Sequence, residues 1–187
     1  PGQTGLFFSR RIGIGAGGQA IPILGGARLS GKVSDGVTVG LLNMQTDATG
    51  GSTPGNNFSV ARVRQDLPNR SSIGALFVNR QAMGRFADDN DINRTYAIDG
   101  RWGFGQNGLV SGFAAQTETP GLGGDDQAYD LAVDYNTQAW RVRANYMEMG
   151  DNFNPEVGFV RRTGFRKAEG GLFYTWRPDD LLKIQEM

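Results

Sequence analysis

The chain has 187 residues, its 19 basic and 19 acidic side chains cancel, and it contains neither cysteine nor histidine. Without cysteine, disulfides and thiolate metal sites are excluded, and without histidine the commonest general base and metal ligand is missing. The zero net charge gives no electrostatic reason to expect nucleic acid as a partner, and no apolar run approaches the roughly 20 residues of a membrane-spanning helix.

Alternation of apolar and polar residues with a period of two runs through most of the chain, which predicts strands rather than helices. A glycine-rich segment, residues 1–22, leads into a predicted barrel region, residues 23–187. The predicted strands are residues 27–33, 37–45, 58–66, 71–80, 94–104, 109–117, 128–136, 138–147 and 166–177, and one more begins near residue 181. Because that strand is cut short, we expect a fragment of a larger barrel, truncated at the C-terminus, within a larger polypeptide.

The links between the predicted strands alternate between short and long. The short ones are SDG, LPN, GQNG, NT and PDD. The long ones are TDATGGSTPGNN, QAMGRFADDNDIN, ETPGLGGDDQ and residues 150–165. This alternation predicts an all-β, antiparallel up-and-down β-barrel of the outer-membrane type with about ten strands. Its tight turns would lie at one rim and its long polar loops at the other.

The two faces of the predicted strands differ in chemistry, as TYAIDGRWGF at residues 95–104 illustrates. Aromatic residues near strand ends, with aliphatic residues between them, are typical of lipid-facing girdles. The predicted lipid-facing aromatics are Tyr96, Trp102, Phe104, Tyr129, Tyr135, Trp140, Tyr146, Tyr174 and Trp176. The opposite face would line the lumen with a ladder of charges: Asp99, Arg101, Asp130, Asp134, Arg141, Arg143 and Glu169.

The hairpin formed by the seventh and eighth predicted strands gives this ladder a register. A two-residue turn at residues 136–137 would place Asp130 opposite Arg143, with Arg141 diagonally between Asp130 and Asp134. Opposite charges would then meet across the two strands. A paired ladder suits a narrow lumen, because an unpaired charge away from water is costly.

The motif GIGAGG at residues 13–18 formally matches the glycine fingerprint of dinucleotide-binding folds. That fingerprint requires a helix directly after it, whereas QAIPILGG follows here, with a proline and further glycines. We therefore interpret the motif as a flexible glycine turn ahead of the first strand, and we expect no cofactor.

Two long links are rich in oxygen ligands, DDNDIN at residues 88–93 and GGDDQ at residues 123–127. Asp88, Asp89 and Asp91 are candidate Ca²⁺ ligands, because calcium takes six to eight oxygen atoms. The glycine and the closing glutamate of an EF-hand are misplaced, and acidic loops are common in proteins without metal. A solvated loop without a metal is therefore the favoured interpretation.

Paired carboxylates can hydrolyse glycosides without histidine. Asp99, Asp130, Asp134 and Glu169 all lie on the predicted inner face. Because Asp130 and Asp134 are matched to arginines in the predicted register, neither carboxylate would hold a proton to donate.

Two basic pairs are conspicuous, Arg10 with Arg11 and Arg161 with Arg162. Such pairs can contact an anionic polymer or a lipid headgroup, since arginine binds phosphate and carboxylate in a bidentate manner. The competing interpretation is that they anchor strand ends at the rim or pair with acidic residues inside the wall.

Six segments together resemble an uncharacterised family of bacterial outer-membrane β-barrels. They are LFFSRRIGIG at 6–15, PILGGARLSGKV at 22–33, GLLNMQT at 40–46, VARVRQDL at 60–67, SSIGALFVNR at 71–80 and FNPEVGFVRR at 153–162. Members of that family usually carry an N-terminal carbohydrate-binding module of the family-9 type. The resemblance implies a barrel at the cell surface that handles glycans or polymers, and it assigns no activity to particular residues.

The sequence thus predicts a porin-like segment of the bacterial outer membrane, without catalysis, for passage, docking or display of a substrate. Its expected partners are outer-membrane lipid and a glycan or polymer, and not nucleic acid. Two alternatives stay open. One is a soluble all-β domain that binds glycans through exposed aromatics, and the other is a carboxylate-based glycoside hydrolase.

Overall fold

The computed structural model describes residues 5–15, 17–51 and 53–177, and it shows an all-β chain. The strands are β1 (Ile23–Ser34), β2 (Val37–Thr46), β3 (Gly55–Leu67), β4 (Ser71–Met83), β5 (Ile92–Phe104), β6 (Gly108–Glu118), β7 (Gln127–Asn136), β8 (Trp140–Met149) and β9 (Phe165–Tyr174). A single 3₁₀ turn, Ser9–Arg11, precedes them. The described residues contain no helix that is long and apolar enough to cross a bilayer.

All nine strands belong to one antiparallel sheet, in which each strand pairs with its neighbours in chain order. The predicted up-and-down antiparallel fold is therefore confirmed. Within the described residues β1 and β9 do not pair with each other, so the sheet is open there. The additional strand predicted near residue 181 lies outside the described residues.

Connections alternate in length as the sequence predicts. The short turns are residues 35–36, 68–70, 105–107 and 137–139, and they share the short-turn edge of the sheet. The long links are residues 47–54, 84–91, 119–126 and 150–164, at the long-loop edge. Gly36 has a φ of +76°, which the tight turn between β1 and β2 requires and which a side chain would disfavour.

Strand β5 shows how alternation divides the sheet into two faces. Thr95 and Ala97 are buried, whereas Tyr96 and Ile98 beside them are exposed. We call the face with Thr95, Ala97 and Asp99 the inner face, and the opposite face the outer face. Cross-strand pairing carries both faces through all nine strands.

The hairpin between β7 and β8 departs from the predicted register by four residues. Asp134 lies opposite Arg143, and Asp130 lies opposite Met147 instead of Arg143. The loop is longer than predicted because Thr137 closes it. The Thr137 amide donates to the Trp140 carbonyl at 2.7 Å, and the Trp140 amide donates to Thr137 Oγ1 at 2.9 Å. Since the shift is even, every side chain keeps its predicted face.

The hydrophobic core lies against the inner face, near the long-loop edge. Two chain segments cover this area: an N-terminal segment, residues 5–15 and 17–21, and an inward loop, residues 150–164. The first cluster joins Ile12, Phe58, Val60, Val78 and Val157. The second joins Ala97, Ala115, Ala128, Met149 and Phe153. The prediction that residues 150–165 form a polar rim loop is therefore wrong, because burial of Phe153 and Val157 draws this loop inward.

The glycine motif at residues 13–18 lies in the N-terminal segment and makes a tight reversal. Gly13 and Gly18 have φ values of +84° and +79°. The reversal returns the chain so that Ile14 bridges Ala20, and strand β1 follows without a helix. The tight reversal agrees with the glycine-turn interpretation. A strand follows the motif, whereas a dinucleotide site needs a helix there.

Candidate functional site: the covered inner face

Buried polar side chains of the sheet hold the inward loop in place. Asn93, on β5, donates to the Asn154 carbonyl and to Thr119 Oγ1, both at 2.8 Å. The Asn93 side-chain oxygen accepts from the Glu156 amide at 3.3 Å. Thr117, on β6, accepts from the Asn154 amide at 3.0 Å. Asn93 and Thr117 are both 1% exposed, so these bonds satisfy polar groups that water does not reach.

Arg80, on β4, adds a charged anchor. Its guanidinium lies 2.5 Å from carboxylate oxygens of both Asp91 and Glu156, and it donates to Asn56 Oδ1 at 3.0 Å. The Arg80 side chain is only 14% exposed. The planar guanidinium therefore connects strand β4 with the link between β4 and β5 and with the inward loop.

The N-terminal segment is held largely through the inward loop. The amide of Gly5 donates to the Phe159 carbonyl at 2.9 Å, and the Phe159 amide donates back at 2.6 Å. The Phe8 amide donates to the Val157 carbonyl at 2.7 Å. The two segments thus form one unit, which we call the cover, across the inner face.

The candidate calcium ligands are not brought together. Asp91 is paired with Arg80, while Asp88 and Asp89 are exposed in the link between β4 and β5. Over residues 5–15, 17–51 and 53–177, no group of three acidic side chains is placed so that it could hold a metal ion.

The predicted charge ladder lies on the inner face between the cover and the short-turn edge. Asp99 makes a bidentate contact with Arg62, the longer bond being 2.8 Å. Asp134 pairs with Arg143 at 3.3 Å, Glu169 pairs with Lys167 at 2.8 Å, and Asp130 accepts from Asn145 at 3.3 Å. Arg101 and Arg141 lie on the same face and are exposed. The predicted contacts of Asp130 with Arg141 and Arg143 are wrong, because the register of the hairpin differs.

These partners bear on hydrolysis. A glycosidase needs one carboxylate that holds a proton and a second one that is ionised. Asp99, Asp134 and Glu169 each form an ion pair with a basic side chain, namely Arg62, Arg143 and Lys167. All four carboxylates that the sequence proposes for such a pair already contact a polar or basic side chain of the inner face.

On the outer face the aromatic residues form two rows. Tyr96, Tyr129 and Tyr146 lie toward the long-loop edge. Trp102, Phe104, Tyr135, Trp140 and Tyr174 lie toward the short-turn edge, and Trp176 follows the end of β9. All nine are exposed, Trp102 by 70%. Neighbours within the second row touch, since the rings of Trp140 and Tyr174 have centroids 4.6 Å apart and those of Phe104 and Tyr135 lie 6.3 Å apart.

The tyrosine hydroxyls face the long-loop edge. Tyr96 donates to Glu118 at 3.3 Å, Tyr129 to Gln127 at 3.2 Å and Tyr146 to Glu148 at 2.5 Å. Beyond the tyrosines the outer face becomes polar. One register row there consists of Asn43, Ser59, Asn79, Arg94 and Glu118.

Between the aromatic rows lies an apolar band that slants across the hydrogen-bonded register. The first register row of the band contains Leu41, Ala61, Phe77 and Tyr96 but continues into Gln116 and Gln127. The second contains Val39, Val63, Ala75, Ile98, Ala114 and Tyr129 but continues into Glu148 and Arg166. On β8 and β9 the band begins only in the third row, at Tyr146 and Ala168.

The opposite boundary of the band shifts in the same direction. It lies at Val37 on β2, in the third row, and at Phe104 on β5, in the fifth. On β8 and β9 it extends to the sixth row, at Trp140 and Tyr174.

The structure separates the two basic pairs. Arg10 and Arg11 are exposed in the 3₁₀ turn of the N-terminal segment. Arg161 and Arg162, at the end of the inward loop, line a cleft of about 760 Å³ on the inner face of β7–β9.

The anchors Asn93, Thr117 and Arg80 are absent from the sequence-based predictions. Their polar side chains alternate with outer-face residues like any other inner-face position, so nothing local distinguishes them. The one available signal was the pair of apolar residues, Phe153 and Val157, inside FNPEVGFV, which a purely polar rim loop would not carry.

Comparison with protein-family models, with curated proteins and with solved structures finds no match. The predicted resemblance to the outer-membrane family therefore stays a prediction. The functional inference therefore rests on the two faces of the sheet, their contacts and their charges.

Proposed function

We propose that the sheet is part of the wall of a β-barrel in the bacterial outer membrane. Its outer face would contact lipid, and its inner face would line a lumen that the cover narrows near the long-loop edge. The chain would serve passage, docking or display of a substrate such as a glycan or another polymer, without catalysis or a cofactor.

The slanted apolar band is the observation that carries this proposal. Antiparallel hydrogen bonds run perpendicular to the strands, so a register row crosses the sheet at a right angle to them. A flat slab of lipid crossed by tilted strands must intersect these rows obliquely. A shift of two rows, about 13 Å, over seven interstrand spacings, about 34 Å, gives a slant of about 20°. This slant is shallower than the roughly 35–45° tilt of strands in closed barrels. The two boundaries of the band shift in the same direction.

The aromatic rows support the same placement. On β5, β7 and β8 a tyrosine and the aromatic residue of the other row are six positions apart, namely Tyr96 and Trp102, Tyr129 and Tyr135, and Tyr146 and Trp140. That spacing is about 20 Å along a strand. Aromatic residues with an apolar body and a polar tip favour the membrane interface. No second layer of the described chain covers this face, and its large side chains are exposed.

A soluble glycan-binding domain is the second candidate, because exposed aromatic rings also stack on sugars. It would leave an unusually large apolar surface in water, which favours aggregation. It also gives no reason for the two boundaries of the band to shift in the same direction.

Quenching of tryptophan by brominated lipid distinguishes these proposals. We expect Trp102, retained as the single tryptophan after Trp140→Phe and Trp176→Phe, to lose fluorescence when the protein is reconstituted in brominated lipid. The matched control carries its only tryptophan on the inner face, through Phe113→Trp with all three native tryptophans replaced by phenylalanine. Its emission should stay unchanged.

Trp102 emission that is insensitive to brominated lipid in folded, vesicle-bound protein would contradict the membrane proposal. Protein that stays in solution and binds glycan through the same face would instead support the soluble domain.

A further inference from the structure

The cleft on the inner face of β7–β9 combines charged and aromatic side chains. Its charged lining comprises Asp130, Asp134, Arg143, Arg161, Arg162, Lys167 and Glu169. Phe165 and Phe173 also line it. A volume of about 760 Å³ lies within the roughly 300–1,000 Å³ of ordinary ligand sites.

The carboxylates in the cleft already contact other side chains of the protein. Asp134 contacts Arg143, Glu169 contacts Lys167, and Asp130 accepts a hydrogen bond from Asn145. In contrast, Arg161 and Arg162 have no carboxylate within 4 Å among the residues that the structure describes. Both are exposed, so two guanidinium groups remain available for an anion.

The aromatic side chains narrow the class of anion. Phe173 is 61% exposed, and Phe165 lies beneath the Arg162 guanidinium, 5.9 Å from its ring centroid. The exposed ring of Phe173 offers a flat apolar surface in the same cleft as the two cations. The apolar face of a sugar ring can pack on such a surface, while the guanidinium groups bind its acidic substituents.

We propose that this cleft binds an acidic polysaccharide, one that bears sulfate or carboxylate groups. The inference rests on the proposed function, since it names the substrate class of the lumen that the inner face would line. Arg161 and Arg162 bind the acidic groups, and Phe173 contacts the sugar ring.

Calorimetric titration with dextran sulfate and with neutral dextran tests the inference on the reconstituted protein. We expect dextran sulfate to bind and dextran to bind far more weakly. Because the variant loses both guanidinium groups that would bind the acidic substituents, Arg161→Gln with Arg162→Gln should weaken dextran sulfate binding about tenfold or more. Lys32→Gln with Arg85→Gln removes the same charge from exposed positions outside the cleft and should change binding little.

Phe173→Leu tests the saccharide part of the proposal. It should weaken dextran sulfate binding and leave the binding of linear polyphosphate, which has no rings, unchanged. Equal effects on both probes, or on neither, would overturn the assignment to a saccharide. Equal losses from the two charge-removing double variants would overturn the cleft itself.

The outcomes for the two proposals are separable. Quenching of Trp102 by brominated lipid without dextran sulfate binding would overturn this inference and leave the barrel proposal standing. Dextran sulfate binding by the cleft without lipid quenching would overturn the barrel proposal, and with it the lumen, and would leave only a saccharide-binding cleft on a β-sheet.

Discussion

A single arginine shows how the inner face combines charge with burial. Arg80 contacts Asp91 and Glu156 at 2.5 Å, and those carboxylates are 37% and 30% exposed. Arg143, by contrast, reaches Asp134 at 3.3 Å, with side chains 66% and 50% exposed. When the partner of a partly buried charge is removed, the remaining charge is poorly solvated. When an exposed ion pair is broken, water solvates the remaining charge.

The two arginines should therefore differ in their contribution to stability. Arg80→Gln should lower the free energy of unfolding by about 1–3 kcal/mol, because three partners lose their hydrogen bonds. Arg143→Gln should cost less than about 1 kcal/mol. Urea titration of both reconstituted variants measures the difference, and equal losses would show that Arg80 does not anchor the cover.

At the scale of elements, the cover is a buried loop that depends on wall side chains. A loop placed against a sheet face needs partners for its backbone polar groups, and Asn93 and Thr117 supply them. Because the N-terminal segment bonds to the inward loop through Phe8 and Gly5, loosening the loop should loosen both segments.

Amide hydrogen exchange tests this dependence. Asn93→Ala should speed exchange of the Asn154 and Phe159 amides by about tenfold or more, since the loop loses its wall bonds. Neither amide is bonded to Asn93 itself, because they donate to Thr117 and Gly5. Asn43→Ala, which removes an outer-face amide, is the control and should leave these rates unchanged. Unaltered exchange in Asn93→Ala would mean that the apolar cluster alone holds the loop.

The strands were predictable because alternation is a local signal. Strand β5 was predicted over residues 94–104 and spans Ile92–Phe104. Strand β8 was predicted over residues 138–147 and spans Trp140–Met149, because the Thr137 hydroxyl closes a longer loop than the sequence pattern indicates. Alternation with a period of two determines the face on which a residue lies. It does not determine the strand pairing, which can shift by an even number of residues without changing that face.

The cover and the cleft were not predictable in the same way. Asn93 contacts Asn154 and Glu156, which lie 61 and 63 positions further along the chain. The sequence shows that Arg161 and Arg162 form a basic pair, but their position in the cleft depends on the inward path of the loop. Contacts between distant segments depend on how many apolar groups each arrangement buries, which no local pattern records.

For the whole molecule, the proposed membrane plane would not follow the hydrogen-bond rows, because the apolar band slants across them. Phe77 and Gln116 share the first row, and Ile98 and Arg166 share the second. A lipid slab would enclose one member of each pair and leave the other in water. A soluble sheet would expose all four.

Cysteine labelling can measure this, because the native chain has no cysteine. In vesicles, single variants Gln116→Cys and Arg166→Cys should react with a charged, membrane-impermeant maleimide added on the long-loop side. Phe77→Cys and Ile98→Cys should be protected, because the thiolate that reacts forms poorly in hydrocarbon. After the vesicles are dissolved and the protein is denatured, all four should react alike, which controls for intrinsic reactivity. Row partners that label equally in intact vesicles would contradict a tilted barrel wall, and labelling that divides each row would fix the membrane plane across the strands.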